Sequence, residues 1–323
     1  MKVSRERLTA DADATGFRPE VLEKVIQLLG LLDGLRAHPF LKNRLALKGG
    51  TALNLFLFEV PRLSVDIDLN YLGSPDRAVM LAERPRLDEA ISAVCRRGGF
   101  DIRKVPGGHA GGKWLLRYDS AIGEGGNLAL DLNFMFRVPL WPVTLRDSHA
   151  IAGCQATNVP VLDEHELAAG KLAALLARHA ARDLFDAHQL LTQRNLDPAR
   201  LRLAFVVYGA LNRHDWRTVV PEDVDFTESE LRDSLIPVLP VGSAPPMGED
   251  SDWGKRLVAE CHAALGIVLP FTAEETEFLD RVLDYGEVSP ELLTSDPEVQ
   301  KRIAANPGLL WKAQNVREHR GLA

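Results

Sequence analysis

The sequence predicts an α+β protein: a mixed sheet with flanking helices, followed by a helical domain. Three observations predict it. Apolar residues recur at helical spacing in the first 40 residues. From about 45 to 137 the pattern changes to short alternating runs separated by Gly-rich connectors. From about 163 onward, Ala- and Leu-rich helical periodicity dominates. The expected organisation is therefore an N-terminal helical segment (1–40), an α/β domain (41–160) and a helical domain (161–323).

The elements follow in order. Pro19 suits a helix start, and Val21, Leu22, Val25, Leu28, Leu29 and Leu32 repeat at helical spacing until Pro39 ends the pattern. Leu45-Ala46-Leu47-Lys48 leads into Gly49-Gly50, and 51–58 reads as a short helix. Ser64-Val65-Asp66-Ile67-Asp68-Leu69-Asn70 alternates as a strand does. Residues 85–97 read as an amphipathic helix, and 100–105, 113–118 and 128–136 as strands. Their connectors, 106–112 and 121–126, are turn-like. Glu164–Arg178 and 183–191 read as helices, and 221–252 as a polar connector with little regular structure. Thr272-Ala273-Glu274-Glu275 has the form of a capping box, with Gly286 ending that helix. The remainder reads as short helices broken at Pro297 and Pro307.

Composition narrows the function classes. The chain has 323 residues, 46% hydrophobic and 26% charged, which is ordinary for a globular protein with a sizeable core. No apolar run is long enough for a membrane span, and the charged start does not resemble a secretory signal. Cys95, Cys154 and Cys261 form neither a disulfide framework nor a zinc pattern, so a cytoplasmic location is expected. A net charge of −7 disfavours broad nucleic-acid binding. It leaves room for a local basic site, because 28 of the 38 basic residues are Arg. The stretch 106–113 is a hairpin turn rather than a phosphate loop, since Trp114 follows Lys113 where Ser or Thr is needed. The five Trp are scattered and suggest no base-stacking platform.

One constellation carries chemistry. Gly49-Gly50 before a helix start lets backbone N–H groups approach an anion, and Thr51 adds a hydroxyl. Asp66 and Asp68 are two apart on a strand and share one face, opposite Val65, Ile67 and Leu69. Adjacent carboxylates repel and call for a cation. Mg²⁺ suits hard oxygen donors completed by substrate phosphates. Asp131 projects opposite Leu130 and Leu132. If its strand lies beside that of Asp66, three carboxylates converge as in two-metal phosphoryl or nucleotidyl transfer. Farther on, Lys171 and Arg178 share a helix face, which Arg182 joins if the helix continues, giving a cationic ridge for phosphates. Each feature also has an ordinary reading: a tight turn, an exposed strand, a solvated helix face or, for Arg182-Asp183, a structural ion pair.

Taken together, Gly-Gly, Asp-x-Asp and a later Asp resemble the DNA-polymerase-β-like nucleotidyltransferase superfamily. More narrowly, three stretches resemble the AbiEii/MenT-type nucleotidyltransferase toxins of type IV toxin–antitoxin and phage-defence operons. These are Gly49-Gly50-Thr51-Ala52-Leu53, the run with Arg62, Ser64, Asp66 and Asp68, and Glu166…Lys171…Arg182-Asp183-Leu184-Phe185-Asp186. The likeness covers about 45–191 and implies a nucleotidyltransferase-like sheet. It also implies Gly49, Gly50, Thr51, Arg62, Ser64, Lys171 and Arg178 as nucleotide-binding residues, and Asp66, Asp68 and Asp131 as metal ligands. Lys171 would hold the nucleotide phosphates, and Asp183 would orient Lys171 or act as a base on the acceptor hydroxyl.

The expectation is thus an enzyme that uses Mg²⁺, with Mn²⁺ as a substitute, to transfer NMP from an NTP to an acceptor hydroxyl and release pyrophosphate. By resemblance the acceptor is the 3′ end of tRNA, the effect is blocked translation, and the partner is an antitoxin encoded in the same operon. The helical domain would complete the nucleotide and acceptor site. Two rivals stand beside this reading: a nucleotidyltransferase acting on a small molecule or protein, and a non-catalytic member that binds nucleotide or a partner.

Overall fold

The computed structural model describes residues 3–105, 111–246 and 248–321. The described residues divide into two compact units. The first comprises residues up to 137, 143–162 and 236–244. The second comprises 138–142, 163–235 and the described residues from 245 onward.

The first unit holds a seven-stranded mixed sheet. Its strands are β1 (Leu45–Lys48), β2 (Asp66–Tyr71), β3 (Asp101–Lys104), β4 (Gly111–Tyr118), β5 (Gly126–Asn133), β6 (Thr144–Arg146) and β7 (Val159–Val161). They lie in the order β3-β4-β5-β2-β1-β7-β6. β2 pairs parallel with β5 and antiparallel with β1, so the strand bearing Asp66 and Asp68 lies in the interior of the sheet. Alternation sorts the two faces. On β4, Trp114, Leu116 and Tyr118 are buried while Lys113, Leu115 and Arg117 are exposed. On β5, Leu128, Leu130 and Leu132 are buried, and Ala129 and Asp131 are half-buried.

Helices α1 (Arg5–Thr15), α2 (Pro19–Ala37) and α4 (Arg77–Arg97) belong to the same unit. α2 has Pro19 in its first turn and buries Leu22, Val25, Ile26, Leu28, Leu29 and Leu32, contacting β5 and α4. Its buried Glu23 accepts hydrogen bonds from Ser120 Oγ (2.6 Å) and the Ala121 N–H (2.7 Å), fixing the β4–β5 turn. α4 starts eight residues before the expected position. Asp76 caps it by accepting from the Val79 N–H at 2.8 Å, and Pro85 lies inside the helix. Burial of Met80 ahead of Pro85, and of Leu87, Ile91 and Val94 after it, outweighs the donor that proline lacks. The hairpin reading of 106–112 falls largely on residues outside the described ones; Gly111 and Gly112 open β4.

The second unit is helical. α5 (Glu164–Arg178) packs against α6 (Ala181–Gln193) and α7 (Pro198–Ala210). Asp163 caps α5, and His179, in the left-handed region, ends it. The helix expected to carry Arg182 on from Arg178 therefore stops, and Arg182 belongs to α6. Asp250–Ala264 forms a further helix beginning within the expected connector, and the connector itself holds several short helical turns. The capping box at Thr272 and Glu275 is present, and left-handed Gly286 ends the segment that follows it. Among the described residues, no helix is long and apolar enough to cross a membrane.

Glu166 holds this unit's short incoming segment. Fully buried on α5, it accepts from the Trp141 N–H (3.2 Å) and from Tyr208 Oη (3.1 Å). Burial pushes its carboxyl up to about 7, despite hydrogen bonds from Leu140, Trp141 and Tyr208 that favour the anion. In the unfolded chain a Glu releases its proton near pH 4.3. Between about pH 4.3 and 7 the folded state keeps a proton that the unfolded state has released, so stability falls as pH rises, by about 4 kcal/mol in full. Glu166→Gln should remove this part of the pH dependence. The check is the difference in urea-unfolding free energy between variant and wild type from pH 4.5 to 8, which should shift steadily in the variant's favour.

Candidate active site

Four strands in register build the site in the first unit. Lys48 on β1 pairs with Asp68 on β2. Asp68 pairs with Asp131 on β5, and Asp131 pairs with Lys113 on β4. Directly opposed residues face the same side of a sheet, and neighbouring strands lie about 4.8 Å apart. The result is a row ordered cation, anion, anion, cation, with Asp66 two residues along β2 on the same face. The sequence left open whether the Asp131 strand adjoins that of Asp66. It does, in the register that sets Asp131 beside Asp68.

The electrostatics follow from that row. Partial burial and then the charge of Asp68 push the Asp131 carboxyl above its usual range; Lys113 and Lys48 pull it back, and Asp66 adds to the rise. Lys113 Nζ lies 3.9 Å from Asp131 Oδ2. That is an ion pair without a hydrogen bond.

The Gly-Gly turn fits against this row. Gly49 has φ +72°, and a Cβ there would lie 2.4 Å from Asp68 Oδ2. Glycine is therefore required both for the backbone conformation and for the approach to the carboxylate. Gly49–Ala52 form a single helical turn (α3), which passes into a wider turn at Leu53–Leu57. Thr51 is fully buried, and its hydroxyl donates to the Asp66 carbonyl at 2.5 Å and lies 3.0 Å from Ser64 Oγ. Both hydroxyls thus fasten the turn to the start of β2. Arg62 is buried and donates to the Leu63 carbonyl at 2.9 Å. Of the proposed nucleotide-binding residues, Gly49, Gly50, Thr51, Arg62 and Ser64 accordingly belong to the same local structure as Asp66 and Asp68.

Lys171, Arg178 and Asp183 form a separate cluster in the second unit. Lys171 Nζ lies 2.6 Å from Asp183 Oδ1 and 2.9 Å from Asp186 Oδ2, and Arg178 Nε lies 2.6 Å from Asp183 Oδ2. The Lys171 side chain is 8% exposed, and both aspartates are buried. The side chain of Arg178 is 64% exposed. Burial would raise the Asp183 carboxyl, but Lys171 and Arg178 outweigh it and hold the carboxyl below its usual range.

The carboxylate row fits a hard divalent cation. Its donors are all carboxylate oxygens, those of Asp68 and Asp131 in direct register, and Gly49 beside Asp68 carries no side chain. Among the described residues, no three His, Cys, Asp or Glu already close on a point as a finished metal centre. Mg²⁺ does not require one, because it takes one or two carboxylates and completes its shell with water and substrate phosphates. Sequence reasoning assigned no role to Lys48, Lys113 or Asp186. Asp186 closes the Arg182–Asp186 run and so stood inside a recognised stretch, whereas Lys48 directly precedes one. Lys113 ends the Gly-rich stretch 106–113, which lacks the Ser or Thr of a phosphate loop, so no local pattern gave it a role.

A family profile described as the nucleotidyl transferase AbiEii toxin of type IV toxin–antitoxin systems matches residues 30–239. The fold is similar to that of MenT4, a nucleotidyltransferase toxin from Mycobacterium tuberculosis H37Rv, with a TM-score of 0.58 and 20% identity. That match covers 96% of this chain and 99% of the other. No relative among the curated proteins matches. The chain belongs to the AbiEii nucleotidyltransferase toxin family. Membership gives a nucleoside triphosphate as its substrate class and an antitoxin as its partner class.

Two substitutions test the geometry. Gly49→Ala should cost about 1–2 kcal/mol from the left-handed backbone alone, and should weaken Mn²⁺ binding because the new methyl displaces the Asp68 carboxylate. Unfolding curves and Mn²⁺ titration read the two effects separately. Lys171→Met should destabilise the chain by about 3–5 kcal/mol, the cost of removing one partner from a buried ion pair. A solvated lysine with no structural part would leave the unfolding midpoint unchanged.

Proposed function

We propose that this chain is a Mg²⁺-dependent nucleotidyltransferase toxin that moves NMP from an NTP to the 3′-terminal hydroxyl of tRNA and so blocks translation. One observation carries the reading: Asp68 and Asp131 in direct register on neighbouring strands, with Asp66 on the same face and the Gly49 backbone against Asp68. Asp66, Asp68 and Asp131 hold the cation. When bound, Mg²⁺ supplies charge neutralisation at the phosphates, and Mn²⁺ suits the same donors.

The remaining roles belong to the chain's own side chains. The backbone N–H groups of the Gly49-Gly50-Thr51 turn receive phosphate oxygens. The Thr51 and Ser64 hydroxyls hold that turn on β2, and buried Arg62 supports the segment leading into the strand. The acceptor hydroxyl oxygen bonds to the α-phosphorus and gives up its proton to solvent, while the bond from that phosphorus to the bridging oxygen breaks and pyrophosphate leaves with the electron pair. Lys171 and Arg178 are assigned to the nucleotide phosphates. Asp183 is assigned to orienting them: both its oxygens are engaged, and a carboxyl held below its usual range is a weak base.

A transfer assay tests this proposal. Purified protein, Mg²⁺ and each α-labelled NTP in turn are mixed with total tRNA, beside Asp66→Ala. Wild type should label tRNA with at least one nucleotide. Asp66→Ala should fall by about 10³-fold or more, as expected for loss of an electrostatic contact at the reacting phosphate. Label appearing on protein or small molecules instead would move the acceptor assignment. Equal labelling by the variant would remove Asp66 from the mechanism.

A further inference from the structure

The charge row contains two cations, Lys48 and Lys113, that neither the family motifs nor the proposed mechanism uses, and Lys113 is the more exposed of them. Lys113 faces the same side as Asp131, its register partner, and belongs to the exposed set of β4 with Leu115 and Arg117. Its ammonium lies 3.9 Å from Asp131 Oδ2, and its side chain is 49% exposed. The contrast with Lys171 is instructive. Lys171 is 8% exposed and lies at hydrogen-bond distance from two carboxylates, 2.6 and 2.9 Å away. Lys171 is fastened in place, whereas among the described residues Lys113 is held by charge alone on a flexible four-carbon stem.

Given the carboxylate row as the metal and nucleotide site, we propose that Lys113 is a displaceable counter-ion and a nucleotide-binding residue. Before cation and nucleotide arrive, Lys113 neutralises Asp131. A divalent cation competes with the ammonium for the same carboxylate and repels it. The released Lys113 turns to the triphosphate, whose negative charge arrives with the cation. The partly exposed side chain allows that turn without disturbing the core, because the buried face of β4 is carried by Trp114 and Leu116. At the other end of the row, Lys48 opposes Asp68, so the carboxylates are bracketed by cations. Lys113 is the bracket for which an exposed side chain and a bond-free contact are both observed.

The test uses the full chain as wild type, Lys113→Met, Lys113→Arg and Asp131→Asn. Mn²⁺ affinity is read by electron paramagnetic resonance without nucleotide, and the NTP KM is read in the transfer assay. Lys113→Met should bind Mn²⁺ about fivefold tighter, because a competing charge is gone. Its KM for NTP should rise about tenfold, the loss of one charge-assisted contact. Lys113→Arg should stay near wild type in both, and Asp131→Asn should bind Mn²⁺ more weakly. Mn²⁺ affinity and KM both unchanged in Lys113→Met would overturn the proposal. So would a loss of Mn²⁺ affinity as large as that of Asp131→Asn, which would make Lys113 a mere support for the carboxylate. Wild type that binds no Mn²⁺ even beside a non-hydrolysable NTP analogue would overturn the underlying site reading, and this inference with it.

Discussion

Two carboxylates facing the same side of adjacent strands repel, and a sheet keeps them only if positive charge is supplied. β2 and β5 impose that condition by pairing Asp68 with Asp131. The rest of the first unit's site follows from this constraint. Lys48 and Lys113 take the flanking register positions, and Gly49 brings backbone rather than a side chain against Asp68. The Thr51 and Ser64 hydroxyls tie that backbone to the strand. At about 4 Å and an effective dielectric near 20, two like charges repel by about 4 kcal/mol, so the flanking lysines are energetically significant. A divalent cation satisfies the same demand with more charge and closer contact.

The second unit solves a different electrostatic problem. Lys171, Asp183, Asp186 and Arg178 form a compact cluster whose formal charges cancel, with three of its four members buried. Charges buried this deeply are retained only when mutually paired. The cluster therefore stabilises the α5–α6 packing whatever else it does. Glu166, nearby in sequence on α5, is buried with hydrogen bonds but no ion pair among the described residues, so burial pushes its carboxyl up rather than down.

Local pattern revealed much of this in the sequence, and non-local register hid the rest. Asp66, Asp68 and Asp131 were legible because period-two alternation fixes which side chains share a face. Gly49-Gly50 was legible only in company with Arg62, Ser64, Asp66 and Asp68, because a Gly pair before a helix start is by itself most often a tight turn. Lys113 was not, because its role depends on a strand pairing that no local pattern encodes. The start of α4 was misplaced because Pro85 reads as a first-turn residue, whereas Asp76 supplies the actual cap. The Arg178–Arg182 ridge failed because His179 adopts a left-handed conformation and ends the helix, a role more common for Gly or Asn. The helix at Asp250–Ala264 was missed at its start because a polar N-terminal turn resembles a connector.

The central claim is that the Asp66, Asp68 and Asp131 carboxylates form a cation site for nucleotide. It is tested most directly by a crystal structure of the chain with Mn²⁺ and a non-hydrolysable NTP analogue, with the metal located by anomalous scattering. The account predicts an anomalous peak within about 2.0–2.3 Å of carboxylate oxygens in this row, bridged to the triphosphate. Nucleotide bound with its metal elsewhere, and these three side chains without metal contact, would contradict it.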